Sequence, residues 1–209
     1  MNTDKNKRTI ELLDIGAGNT GSVRRCLNRL GIESISVGKD RAISGDLPVI
    51  FPGVGSFGAV MRLLEASGQK ERLVEVIEAG VPYLGICVGM QVLLEGSEES
   101  PGVAGLGLIE GMVKKFDSGK VPQIGWNLVE PQTETQNKTQ TENNSGYAYF
   151  VNSYYAAPNN ESVISHRSQY YRDFASGIKK DNITAYQFHP ERSGDYGESL
   201  MESWLDATN

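Results

Sequence analysis

Along the first half of the chain, short apolar-rich runs alternate with stripes at helical spacing. Residues 10–15 read as a buried strand, followed by a glycine-rich turn, Gly16-Ala17-Gly18-Asn19. From Thr20 the apolar residues Val23, Cys26, Leu27 and Leu30 recur at i, i+3, i+4 and i+7, one face of a helix that Gly31 ends. Strand-like runs return at 34–37, 47–51 and 81–86, with helical stretches at 59–66 and 72–79. Alternation of this kind predicts a mostly parallel sheet with helices on both faces and ligands at the carboxyl ends of its strands. The second half predicts shorter strands at 111–116, 124–129, 147–155, 161–165 and 182–188, some of them antiparallel additions. A last helix carries Leu200, Met201, Trp204 and Leu205. Between them, 131–146 is almost purely Thr, Gln, Glu and Asn, which reads as a solvated loop rather than a linker between domains. No internal repeat is present, so the expectation is one domain over 1–209.

Composition narrows the class. A normal apolar share of 39% suits a globular core. The formal charge of −6 argues against a nucleic-acid partner, which would demand clustered Lys and Arg. Residues 1–8 are polar and resemble no signal peptide, and no segment approaches the roughly 20 apolar residues that cross a bilayer. With two cysteines and no disulfide pattern, a cytoplasmic protein without membrane contact is expected. Three glycosylation sequons, at Asn137, Asn143 and Asn182, then read as accidental.

The strongest chemical signal is Gly85-Ile86-Cys87-Val88-Gly89, between an apolar strand and an apolar helical run, Met90, Val92, Leu93 and Leu94. A nucleophile on a sharp strand-to-helix turn needs small neighbours, and a following helix aims its amide dipoles at the sulfur. The competing reading is a buried structural cysteine among packing glycines. Of the two histidines, His189 stands in Gln187-Phe188-His189-Pro190-Glu191, where residues two apart on an extended segment put His189 and Glu191 on one face. A surface turn is the alternative. His166 has no such partner and reads as a surface residue. Pro52-Gly53-Val54-Gly55 ends another strand and could offer an N–H to an oxyanion beside the amide of Val88.

Other features read as structural. Gly16-Ala17-Gly18-Asn19-Thr20-Gly21 matches a dinucleotide fingerprint with Asp40 at a suitable distance, a weak signal alone. Cys26 lies on the first helix's core stripe, Tyr147, Tyr149, Phe150, Tyr154 and Tyr155 suit sheet packing, and Glu98 and Glu99 a solvated helix end. No metal-ligand spacing is present, so no metal and no cofactor are expected.

Taken in order, Pro52-Gly-Val-Gly55, Leu84-Gly-Ile-Cys-Val-Gly-Met-Gln91 and Phe188-His-Pro-Glu191 resemble a class I, triad-type glutamine amidotransferase domain. Asp14-Ile-Gly-Ala-Gly-Asn19, Phe51-Pro-Gly-Val-Gly-Ser-Phe57, Ser97-Glu-Glu99, Lys120-Val-Pro-Gln-Ile-Gly-Trp-Asn127, Tyr149-Phe-Val-Asn-Ser-Tyr154 and Gln187-Phe-His-Pro-Glu-Arg-Ser193 resemble the glutaminase subunits of imidazole glycerol phosphate synthases. The resemblance implies a flavodoxin-like α/β sandwich and explains the glycine fingerprint as a family turn. It implies Cys87 as nucleophile, His189 as acid and base and Glu191 as the residue orienting His189. Gly53, Val54 and Val88 would form the oxyanion hole, and Gln91, Glu99, Ser153 and Tyr154 would hold glutamine.

It further implies a heterodimer with a (βα)₈-barrel cyclase that receives the ammonia for histidine biosynthesis, with basal activity low until the barrel's substrate binds. Two departures stand out: Asn152 and Gln123 occupy positions where the family commonly has His. They leave open a paralogous glutaminase that feeds a sugar-modifying amidotransferase; a silent binding subunit is the further alternative.

Overall fold

The computed structural model describes residues 8–132 and 144–208. In chain order the first half holds β1 (Thr9–Asp14), α1 (Thr20–Arg29), β2 (Glu33–Gly38), β3 (Val49–Gly53), α2 (Phe57–Ala66), α3 (Lys70–Glu78), β4 (Tyr83–Cys87) and a single turn, α4 (Val88–Gln91). Then come β5 (Gly96–Ser97), β6 (Gly111–Lys115), β7 (Gln123–Pro131), β8 (Gly146–Asn152), β9 (Tyr154–Pro158), β10 (Ile164–Gln169), β11 (Asp173–Lys180), β12 (Ile183–Tyr186) and α5 (Gly194–Ala207).

All strands join one sheet, in the order β2-β1-β3-β4-β12-β11-β10-β7-β8, with β9 branching from β11 and carrying β6 and β5. From β2 to β12 the pairing is parallel, and from β12 to β8 it is antiparallel. The order β2-β1-β3-β4 is flavodoxin-like. From β1 the chain crosses outward to β2, and from β3 it crosses the opposite way to β4. Right-handed crossovers in opposite directions put α1 on one face and α2 with α3 on the other. α5 returns to the face of α1, where Cys26 Sγ lies 3.5 Å from Met201 Sδ. Helices therefore cover both faces of the parallel half, and every residue of β3 and β4 is buried.

The second half departs from the sequence pattern in ways that shape the site. Residues 147–155 are two strands, not one, because the chain breaks at Ser153 between β8 and β9. Glu161–Val163 is a 3₁₀ turn, so the strand expected at 161–165 runs instead over Ile164–Gln169. β11 went unread: Asp173, Lys179 and Lys180 frame an alternation that includes Ser and Gly, yet its middle is buried between β10 and β12. The apolar run after Cys87 is helical only as far as Gln91; its next residues turn toward β5. His166 is not at the surface. It is 1% exposed on β10, with its ring edge-on to Tyr186 and Nδ1 3.0 Å from Ser165 Oγ. The polar tract at 131–146 begins at the end of β7 and stops at the start of β8, and 133–143 lie outside the described residues, with Asn137 and Asn143. Asn182 spends its amide on the carbonyls of Ile77 and Val81. No helix among the described residues is long and apolar enough to cross a membrane.

Candidate functional site

β4 delivers Cys87 at its carboxyl end with φ 56° and ψ −110°. A side chain held there carries about 1–3 kcal/mol of backbone strain, which the surrounding packing must sustain. That packing is made of glycines. A Cβ at Gly89 would lie 2.0 Å from the Phe51 carbonyl oxygen, one at Gly85 2.5 Å from the Gly89 oxygen, and one at Gly53 2.7 Å from the Gly89 nitrogen. The two glycine motifs, after β3 and after β4, thus lie backbone against backbone. The first glycine turn joins them: a Cβ at Gly18 would sit 2.2 Å from the Pro52 oxygen, so this turn is built for close packing on β3. Asp14 closes it by accepting from the Gly16 N–H and the Thr20 hydroxyl.

His189 follows β12 and faces Cys87. Its Nδ1 lies 2.9 Å from Glu191 Oε1, a buried acceptor-only group, so the ring donates to it. The extended-segment rule placed this pair correctly for the wrong reason. His189 precedes a 3₁₀ turn, Pro190–Arg192, and the turn folds Glu191 back under the ring. Burial by itself lowers the imidazole pKa, but hydrogen bonds with Cys87 and Glu191 outweigh it and raise the value to about 10. The balance favours the charged form of the ring.

The raised value contributes stability that is complete below about pH 6.5 and is lost as pH climbs through about 10. Denaturant midpoints are expected to fall between these limits, and less so in Glu191→Gln, which lacks the anion; identical profiles would contradict the charged ring.

Cys87, His189 and Val88 line a cavity of about 300 Å³ together with Val54, Gln91, Glu99, Ser153 and Tyr154. That volume is at the small end of ligand sites and suits an amino acid. Of the ten residues the resemblance assigned to the triad, the oxyanion hole and the glutamine site, Gly53 and Glu191 alone do not line this cavity. Glu99 is no solvated helix end: its side chain accepts from the Phe57 N–H at 2.6 Å, capping α2 at the cavity rim. Glu98 binds the Lys115 N–H instead. Asn152 also lines the cavity, and its amide donates to the Tyr154 carbonyl at 3.0 Å. Directly across β7·β8 from it lies Gln123, and the buried side-chain oxygens of both find no partner among the described residues. Among the aromatics, Phe150 and Tyr155 pack the core while Tyr154 faces the cavity.

One residue escaped the sequence reading. Gln187 is fully buried, two positions before His189, and its Nε2 lies 3.8 Å from Cys87 Sγ. The period-two rule used forward from His189 to Glu191, applied backward, would have found it.

The two thiols differ in setting. Cys26 is buried, and burial with the nearby Glu198 carboxylate pushes its thiol up to about 11. Iodoacetamide is expected to modify Cys87 at least about tenfold faster than Cys26 in the folded protein. Peptide mapping checks this, and equal rates would refute it.

Residues 11–206 match the family Glutamine amidotransferase class-I. The chain belongs to this family. Among its amidotransferase relatives, "Imidazole glycerol phosphate synthase subunit HisH" of Methanothermobacter thermautotrophicus is 39% identical over 198 residues, covering 94% of this chain and 98% of the relative. "Imidazole glycerol phosphate synthase hisHF, chloroplastic" of Arabidopsis thaliana is 40% identical over 205 residues, covering 94% of this chain but only 34% of the plant protein. The amidotransferase fold also matches a solved structure described as "Structure of PurLQS from Thermotoga maritima", with a TM-score of 0.76 at 19% identity over 97% of this chain and 100% of that one.

Proposed function

We propose that this chain is the glutaminase subunit of an imidazole glycerol phosphate synthase, hydrolysing L-glutamine to glutamate and ammonia for a cyclase partner in histidine biosynthesis. The observation that carries the reading is the file Cys87, His189 and Glu191: sulfur and imidazole on one wall of an amino-acid-sized cavity, with a buried carboxylate behind the ring 2.9 Å from its Nδ1. In this reading the sulfur attacks the side-chain amide carbon of glutamine, and the oxyanion forms against backbone N–H groups at Val54 and Val88, with Gly53 positioning the first. His189 passes its proton to the departing nitrogen, leaving a glutamyl thioester. Water then attacks the thioester, His189 takes a proton from it, and glutamate leaves. Glu191 keeps the ring oriented throughout. Gln91, Glu99, Ser153 and Tyr154 hold the substrate, and Glu99 supplies the charge that suits its α-ammonium.

The partner reading has two supports. A plant relative bearing the name of the synthase matches this chain over about a third of its length. Among the described residues the outer face of β7·β8 also exposes apolar side chains, Ile124 at 64%, Trp126 at 58% and Tyr147 at 62%. Ile124 pairs with Val151, which lines the cavity, so a barrel cyclase docked here as a heterodimer would lie next to the point of ammonia release. The same reading puts the protein in the cytoplasm, which suits its two unpaired thiols.

Glutamate release from glutamine, measured with and without a barrel cyclase and its ribotide substrate, tests the proposal. Strong stimulation is expected. Cys87-dependent activity without stimulation would keep the glutaminase and move the ammonia acceptor to another enzyme, such as a sugar-modifying amidotransferase.

A further inference from the structure

The nucleophile has a second polar neighbour besides His189, and the hydrogen bonds around it fix what that neighbour presents. Start from the Tyr154 carbonyl, which can only accept. It receives Gln91 Nε2 at 3.0 Å and Asn152 Nδ2 at 3.0 Å. Gln91 Nε2 therefore points inward, and it donates also to Gln187 Oε1 at 3.0 Å. With its oxygen so engaged, Gln187 must turn its NH₂ toward Cys87, 3.8 Å from the sulfur. Reversing this amide would set NH₂ against NH₂ on one side and oxygen against sulfur on the other. The orientation thus propagates from a backbone carbonyl to the reacting atom through two buried carboxamides.

We propose that Gln187 is a catalytic residue that donates a hydrogen bond to the sulfur of Cys87, held in place by Gln91. The inference rests on the reading of Cys87 as the nucleophile. A carboxamide suits the task because it cannot ionise: it holds negative charge on sulfur before attack and when the thioester breaks, yet never competes with His189 as the proton donor to nitrogen. The chain also ties the sulfur to Tyr154 and Asn152, which face the cavity, so the wall that meets the substrate and the atom that attacks it share one hydrogen-bonded unit.

Gln187→Met keeps the volume and removes the donor. The measurement is the second-order rate of iodoacetamide alkylation at Cys87, with Cys26 in the same digest reporting whether the core is intact, alongside kcat and KM for glutamate release. Alkylation and kcat are expected to fall about tenfold, the scale of one hydrogen bond to a charged acceptor, with KM little changed. Wild-type alkylation in a folded Gln187→Met protein would overturn the proposal. Should that variant expose Cys26, Gln187→Leu, likewise unable to donate to sulfur, is the second test: the same fall in alkylation is expected, and a wild-type rate would overturn the proposal equally. If wild type hydrolyses no glutamine even with a barrel cyclase and its ribotide substrate, the functional reading fails while the alkylation comparison still decides the donor.

Discussion

Cys87→Ala is expected to release glutamate from glutamine at least about 10⁴-fold more slowly than wild type, with or without a cyclase partner. The scale is that of removing the nucleophile of a hydrolytic triad, where the remaining members act on nothing. The variant should fold, because Ala has the same Cβ that the backbone at φ 56° already tolerates. Residue 87 is the point of highest backbone strain in the site, and that gives a second readout. Cys87→Gly should be just as inactive yet gain about 1 kcal/mol or more in denaturant stability, since glycine alone occupies positive φ at no steric cost. A structural cysteine predicts the reverse: activity largely kept, and stability lost with the buried sulfur. The two hypotheses that the Gly-x-Cys-x-Gly motif leaves open are thus separated by one residue and two measurements. Residual activity within about tenfold of wild type would sink the nucleophile assignment.

Gly89→Ala is expected to cost about 3 kcal/mol of stability and most of the activity. Local reasoning says the opposite, because Gly89 lies within α4 and alanine is better than glycine in a helix by about 1 kcal/mol. The added methyl, however, would stand 2.0 Å from the Phe51 carbonyl oxygen. That oxygen belongs to fully buried β3, paired on both sides in the middle of the sheet, and cannot retreat. Whatever shift relieves the clash must separate the Phe51–Gly53 segment from Val88, the two backbones proposed to share the oxyanion. Gly16→Ala is the matched control: φ is 81° and nothing lies within 4 Å of the added carbon, so only about 1 kcal/mol should be lost and activity kept. Urea midpoints for the pair give the comparison, and equal losses would mean that glycine flexibility, not close packing, is what the site requires.

Much of the parallel half was legible in the sequence because its signals are local. The helix stripe of Val23, Cys26 and Leu27, the buried runs that became β3 and β4, and the glycines that follow them each declare themselves within a few residues. The same holds for the chemistry: a cysteine at a strand end, and a histidine with a glutamate two positions on, are readable as types in a pattern. What failed locally did so for identifiable reasons. β11 carries Ser176 and Gly177 among its buried residues and owes its burial to neighbours on both sides, so its own composition gave no sign. His166 looked solvated because Arg167 and Ser168 surround it in sequence, whereas the strand turns its ring inward against Tyr186.

Most elements of the parallel half, the candidate nucleophile and its candidate base are thus readable from local pattern. That they meet in one cavity is a property of the fold. Cys87 and His189 are brought together because β12, far along the chain, enters the sheet beside β4 in parallel register, Tyr186 against Ile86, so that the two carboxyl ends emerge at the same edge. Glu99 became a cap on α2, Gln187 a donor to sulfur and Gly89 a contact with β3 through other contacts between segments distant in sequence. No local pattern encodes such contacts, since they depend on which strand ends are neighbours and on how closely two backbones can approach where neither carries a side chain.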